Sequence, residues 1–392
     1  MSFTTGLSVT RGDPTNAAGD PADRKEPEDG MGLCLSGGGY RAMLFHLGVV
    51  WRFYELGLLK GLKRISSVSG GSITAAALAI AWPRLGFDGA LAQNDFVPLV
   101  VAPVRALAGR TLDRNAILGG IFSPGSIGEH IARAYDDQLF HGATLQDLPD
   151  DAGGAAPRFV INATSVQSGA LWRFSRPYMG DWRVGRVEQP TLSLAMAVAA
   201  SSAFPPVLSP LEVALDPTSI KADPGSDLNR DPYIARAVLT DGGVYDNLGL
   251  ETVWKRYRTV FVSDGGGQMA PEPEPHSDWA RHGVRVLALV DNQVRALRKR
   301  QVVGSLVDGQ RRGAYWGIRS DAANFPARQP LPCPIARTLP LAEVATRLER
   351  MEPTLQERLI NWGYAVSDLA LRSHHDPTLP PPTAFPYPQS AL

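Results

Sequence analysis

Apolar residues along this chain gather into short runs that end in small residues and then give way to a helical period. The first run, Leu33-Cys34-Leu35, stops at Ser36-Gly37-Gly38-Gly39, and beyond it Met43, Leu44, Leu47, Val50, Trp51 and Tyr54 recur at three and four. The second, Ile65-Ser66-Ser67-Val68, stops at Ser69-Gly70-Gly71-Ser72 and is followed by the alanine-rich stretch from Ile73 to Trp82. Two strand–turn–helix units in succession predict parallel strands in an α/β sheet. Their turns would share the edge where such sheets hold a ligand crevice.

Further along, Arg158 to Thr164 and Ala170 to Ser175 predict a hairpin about Ser168-Gly169. Gly125 to Phe140 reads as a helix, and Thr191 to Ala203 as a small-residue helix stopped at Phe204-Pro205-Pro206. Two more strands run into turns, Ala237 to Asp241-Gly242-Gly243 and Thr259 to Asp264-Gly265-Gly266-Gly267, with Asn247 expected to cap a helix near Leu248. Leu341, Val344, Leu348 and Met351, then Leu355, Leu359, Trp362, Val366 and Leu369, predict two amphipathic helices divided by Pro353. The mixed stretch from Pro83 to Pro124 reads as an excursion packed on the domain or as a lid, and residues 214–233 as a surface loop. The basic run from Arg295 to Arg312 reads as one solvated helix face, or as a face that draws anionic headgroups.

At 392 residues and 44% hydrophobic composition the chain can bury a large core. Lys and Arg number 39 against 39 Asp and Glu, a balance that argues against a dedicated nucleic-acid binder. Cys34 and Cys333 make no disulfide framework, and no apolar stretch reads as a signal or a membrane span. A cytoplasmic location is therefore expected, with a peripheral membrane surface among the partners it allows. No metal-ligand cluster or calcium loop is visible, so no cofactor is expected.

The two glycine-rich turns carry the chemistry. Gly37, Gly38 and Gly39 let backbone amides approach a bound atom at a helix start, where negative charge is favoured, and Arg41 adds a full charge. The same residues fit a dinucleotide fingerprint. That fingerprint needs an acid at the end of the next strand, where this chain has Ser66-Ser67-Val68-Ser69. Ser69 sits as a nucleophile would on a strand-to-helix elbow, with Gly71 at the later small position and Ser67 where glycine is usual. A serine N-cap before a core helix is the plainer alternative. For a base, the histidines beyond Ser69 fall in proline-rich or peripheral segments, and His46 reads as a packing residue. Asp241 ends a strand and can reach the same edge, with Asp264 as its rival.

Ser36-Gly37-Gly38-Gly39-Tyr40-Arg41-Ala42-Met43, the Ser69 elbow, Ser202-Ala203-Phe204-Pro205-Pro206 and Asp241-Gly242-Gly243 together resemble the patatin-like phospholipases, and the glycine–arginine block is similar to that of cytosolic phospholipase A catalytic domains. The resemblance implies a three-layer α/β/α fold with a central, mostly parallel sheet. It also implies a Ser–Asp dyad: Ser69 as nucleophile, Asp241 as base, Gly37 to Gly39 as oxyanion donors, and Arg41 helping to hold the oxyanion or a lipid phosphate. A phospholipid or other lipid ester would be the substrate. A general carboxylesterase or thioesterase, or a non-catalytic nucleotide- or phosphate-binding module, are the rival readings. The division expected is a disordered segment over 1–29, a catalytic domain over 30–295, a helical extension packed on it over 296–375 and a proline-rich extended tail over 376–392.

Overall fold

The computed structural model describes residues 26–87, 93–112, 126–205 and 208–392. Most of the expected disordered lead-in and parts of the Pro83 to Pro124 excursion therefore lie outside the described residues. Five parallel strands form the spine of a mixed sheet, in the order β11 (Arg312–Gly317), β10 (Tyr257–Asp264), β1 (Glu28–Leu35), β2 (Leu62–Ser67) and β3 (Arg158–Ser165). Beyond β3 the sheet turns antiparallel through β4 (Leu171–Phe174), β5 (Tyr178–Asp181), β6 (Gly185–Glu188) and the short β8 (Ile220–Lys221). β4 follows β3 as the predicted hairpin.

One irregularity in this sheet matters more than the rest. β2 pairs with the first half of β3, Arg64–Ser67 against Arg158–Ile161. β9 (Arg236–Asp241) pairs with its second half, Asp241 lying opposite Ala163, and holds β7 (Leu211–Ala214) on its far side. β4 occupies the other edge of β3, so β2 and β9 share one edge and run head to head. Their carboxyl ends meet two β3 residues apart, at Ile161 and Ala163. Asn162 stands between them, its amide donating to Ser66 Oγ and to the Ser67 carbonyl at 2.9 Å each.

Side chains alternate about the sheet and bury two separate cores. Leu33, Leu35 and Phe261 point into the larger, which α1 (Gly39–Glu55), α2 (Gly70–Ala81) and the helix Pro353–His374 cover. Cys34, Val260 and Val262 point the other way, toward Leu250, Val253 and Val302. These two faces with helices on each make a three-layer α/β/α fold with a mostly parallel centre.

The C-terminal third is woven into this body, since β11 extends the sheet and the helix Pro353–His374 lies along α1. A side chain at Gly48 would run into the Ile360 carbonyl, and one at Gly363 into that of Phe45, so the two helices cross nearly backbone to backbone. Asp368, buried between Arg52 at 2.8 Å and Arg372 at 2.6 Å, locks the same contact. The tail expected to be extended is docked instead. Asn361 donates to the Tyr387 and Ser390 carbonyls at 2.8 and 3.0 Å, satisfying backbone that prolines leave without a ladder.

Two further expectations need correction. The period from Leu341 to Met351 does not make a helix; the helix is Ile335–Ala342, and 343–352 runs non-helically. Its carbonyls are taken by other partners: Val344 by Arg41, Arg347 by the Tyr40 amide and Leu348 by the Leu112 amide. Asn247 is not the cap of the next helix. The Asp246 carboxylate accepts from the Leu248 and Glu251 amides at 3.2 and 2.7 Å and starts Glu251–Trp254. Within the Pro83 to Pro124 excursion, the described part packs into the core through Phe96, Val100, Val104 and Leu107.

Candidate active site

Ser69 stands two residues past the end of β2 and sits at φ 52°, ψ −121°, a positive-φ conformation that a serine adopts only when its surroundings impose it. Small neighbours make room for this bend. A side chain at Gly70 would strike the Gly39 carbonyl, and one at Gly71 those of Leu35 and Ser36. Ser67, standing where glycine was anticipated, fits because it turns away from these contacts and accepts from Ser72 Oγ at 3.1 Å. Beneath the elbow, Ser201 ties the pieces together. Its hydroxyl receives the Ser69 amide at 2.9 Å, meets Ser72 Oγ at 2.9 Å and donates to the Asn162 carbonyl at 2.7 Å.

Asp241 arrives from the opposite direction at the end of β9. Its amide donates to the Ala203 carbonyl at 2.9 Å, which fixes the strand end, and its carboxylate accepts from the Gly243 amide at 2.6 Å, with the Ser69 hydroxyl near enough to favour its charged form. Burial raises its pKa to about 7, and the nearby Asp291 carboxylate adds to that rise, while the Gly243 amide and the Ser69 hydroxyl oppose it. The head-to-head meeting of β2 and β9 on β3 thus brings a hydroxyl and a carboxylate into contact across 172 positions of sequence, 241 less 69.

The first glycine turn faces them. Gly37 directs its amide to the Asn247 carbonyl at 3.0 Å, so that amide is already committed. Among the described residues, the Gly38 and Gly39 amides have no carbonyl partner, and both residues hold positive φ, at 146° and 60°. Arg41 is buried behind this turn. It donates from Nε to the Gly265 carbonyl at 3.1 Å and from Nη1 to the Val344 carbonyl, and burial brings its pKa down to about 10. Arg41 therefore fastens the turn rather than lining the cavity. His46 does the same from below, its Nε2–H donating to the Ser36 carbonyl at 2.9 Å while Nδ1 accepts from Ser263 at 2.9 Å. Burial holds its pKa near 4, so the ring is neutral.

Gly37, Gly38, Gly39, Ser69 and Asp241 all open onto a cavity of about 630 Å³. Phe204, Pro205, Leu208, Met269, Ala288 and Leu348 supply much of its apolar wall. Asp264, the rival base, is absent from that lining. Lys299 at 2.6 Å and Arg295 at 3.6 Å neutralise it, the Tyr315 hydroxyl donates at 3.0 Å, and its pKa lies well below the usual carboxylate range despite burial.

Several of these contributors were not legible in the chain. Ser72 and Ser201 are ordinary small residues, and Ala288, Asp291, Asn292 and Arg295 reach the cavity from a helix, Trp279–Val307, that begins sixteen residues before the basic run from Arg295 to Arg312. That run is not one solvated face: Arg298 lies 3.0 Å from Glu251, and Arg295 and Lys299 serve Asp264. Among the described residues no group of three or more His, Cys, Asp or Glu is placed to hold a metal, and no helix is long and apolar enough to cross a membrane.

A family model described as patatin-like phospholipase matches residues 33–254. No curated protein matches the chain by sequence. Among solved structures, human GIVD cytosolic phospholipase A2 is similar at 14% identity with a TM-score of 0.41, over 63% of this chain and 47% of that one. The same human protein in complex with methyl gamma-linolenyl fluorophosphonate gives 14% and 0.49, over 88% and 58%. VipD from Legionella pneumophila gives 14% and 0.38, over 89% and 67%. The chain spans about half the length of the human protein, 47% and 58% in the two comparisons.

Proposed function

The chain belongs to the patatin-like phospholipase family, and from that premise we propose that it is a lipid acyl hydrolase working through Ser69 and Asp241 without a histidine. The observation that carries this reading is the Ser69 hydroxyl beside a buried carboxylate whose pKa is about 7, both lining one largely apolar cavity. A base poised near the working pH is both unprotonated and strong enough to accept a proton in the transition state.

In the reaction, Ser69 Oγ attacks the ester carbonyl while Asp241 takes its proton. The oxyanion that forms is met by the Gly38 and Gly39 amides at the start of α1, where helix and backbone charge favour it. Collapse of the intermediate breaks the bond to the alcohol, which leaves with the proton from Asp241, and the acyl group stays on Ser69. Water then attacks the acyl carbonyl, gives its proton to Asp241, and the acid departs as Ser69 Oγ recovers that proton.

The substrate is assigned to a lipid surface. The helix Trp279–Val307 borders the cavity with Ala288, Asp291, Asn292 and Arg295. It turns Trp279, Val286, Val290 and Leu297, spaced seven, four and seven apart on one stripe, toward solvent at 89%, 43%, 55% and 59% exposure. An apolar stripe of this kind beside an apolar cavity suits a phospholipid interface.

Release of fatty acid from micellar phospholipid, compared with hydrolysis of short soluble esters, tests the assignment. Preference for the micellar substrate, lost in Ser69→Ala, is expected. Equal activity on short esters alone would make the protein a general carboxylesterase or thioesterase.

A further inference from the structure

A second cavity of about 390 Å³ adjoins the first and shares Gly266, Gly267, Gln268, Asn292 and Arg295 with it. Its walls carry three cations, Arg295, Lys299 and Arg319. Arg41 lies directly behind, since a side chain at Gly267 would come within 3.1 Å of Arg41 Nη2. Three carboxylates answer these four charges: Asp264, shared by Lys299 and Arg295, the mostly exposed Glu343, 2.8 Å from Arg319, and Asp291, one turn along the helix from Arg295 and electrostatically coupled to it. The count leaves one positive charge in excess around a single open cavity.

The hydrogen bonding is incomplete in the same direction. Arg295 Nε, Arg319 Nε and Arg41 Nη2 are buried and have no hydrogen-bond partner among the described residues. Buried donors are nearly always satisfied. Three cationic side chains lining one cavity, two of them guanidinium groups with bonding capacity unused, suit an anion with several oxygens. Guanidinium forks match phosphate in geometry and charge. Arg295, Lys299 and Arg319 all lie beyond the segment 33–254 that the family model matches. The whole lining of this cavity, from Asp264 to Ser320, lies outside that segment.

The geometry points to a phosphate subsite at Arg295, Lys299 and Arg319, which takes the phosphate of an anionic glycerophospholipid headgroup while an acyl ester of the same molecule lies at Ser69. This assignment rests on the hydrolase reading above. The connected cavities let one amphiphile fill both, and the positive excess disfavours a headgroup that brings an ammonium of its own.

The test uses the full chain and three micellar substrates with identical acyl chains: phosphatidylglycerol, phosphatidylcholine and diacylglycerol. Phosphatidylglycerol is expected to exceed diacylglycerol in kcat/KM by about tenfold or more. Arg319→Gln and, separately, Lys299→Gln should cut that ratio about tenfold, with Arg319→Lys restoring part of it. Thermal melting with inorganic phosphate alone forms the second arm. A phosphate-dependent rise in Tm that Arg319→Gln removes, together with the fall in ratio, supports the headgroup assignment. The same rise with an unchanged ratio would mean that free phosphate is the ligand and would overturn that assignment. Neither effect, in variants that melt like the parent, overturns the subsite altogether. If no ester is hydrolysed yet the melting shift persists, the hydrolase reading fails and the phosphate site stands.

Discussion

Ser69 and Asp241 line one cavity at the point where β2 and β9 meet end to end on β3, the hydroxyl favouring the charged carboxylate that the Gly243 amide holds at 2.6 Å. With Asp241 near 7, kcat/KM should rise with pH through about 7 and level above it. Asp241→Asn should lower kcat by roughly 10³-fold or more, since the remaining amides orient but accept no proton. A flat profile between pH 5 and 9 would contradict this.

The same raised pKa makes a statement about stability. In the unfolded chain an aspartate titrates near ~4. Between there and about 7 the folded chain holds a proton that the unfolded chain has released, so Asp241 costs stability as pH rises across that window. Asp241→Asn should therefore melt higher than the parent at pH 8, with the difference shrinking toward pH 4. Melting curves at the two pH values decide it.

His46 acts with the opposite sign. Its folded pKa of about 4 lies below the unfolded value, so the unfolded chain binds the proton first and stability falls as pH drops from ~6.5 toward 4. His46→Gln should reduce this acid sensitivity. A melting temperature whose slope over that range is unaltered by the substitution would refute it.

Asp264→Asn should separate structure from chemistry. The substitution removes a buried partner of Lys299 and Arg295. Breaking a buried pair costs about 3–5 kcal/mol, and here less because Lys299 is partly exposed and can rehydrate. Hydrolysis below the lowered Tm should persist within about threefold of the parent. Loss of turnover in a folded variant would return Asp264 to contention as base.

Gly48→Ala tests whether the C-terminal helix belongs to the core. The added methyl meets the Ile360 carbonyl, and overpacking of this sort costs about 1–3 kcal/mol, or roughly 2–10 °C in Tm. An unchanged Tm would show that the helix Pro353–His374 moves aside freely.

The glycine turns, the Ser69 elbow and the strand into Asp241 were legible because each is encoded locally, as an apolar run broken by small residues. The same local signal could not tell which glycine amides are already committed, because Gly37 is occupied by Asn247, 210 positions later, 247 less 37. Ser201 reaches the Ser69 amide across 132 positions and carries no period or motif. Leu341 to Met351 misled for a related reason. Its helical spacing is real, but its carbonyls are captured by Arg41, Tyr40 and Leu112, which tertiary packing alone brings near. The basic run hid its role likewise, since the carboxylates it serves lie on β10 and in the short helix Gly243–Asp246 that follows β9.

The most direct measurement is the mass of the intact protein, and of its peptides, after reaction with a long-chain alkyl fluorophosphonate. One adduct per chain is predicted, on the peptide carrying Ser69, formed faster as pH rises through about 7 and absent in Ser69→Ala. A folded protein that stays unlabelled, or one labelled at another residue and unaffected by Ser69→Ala, would contradict the account.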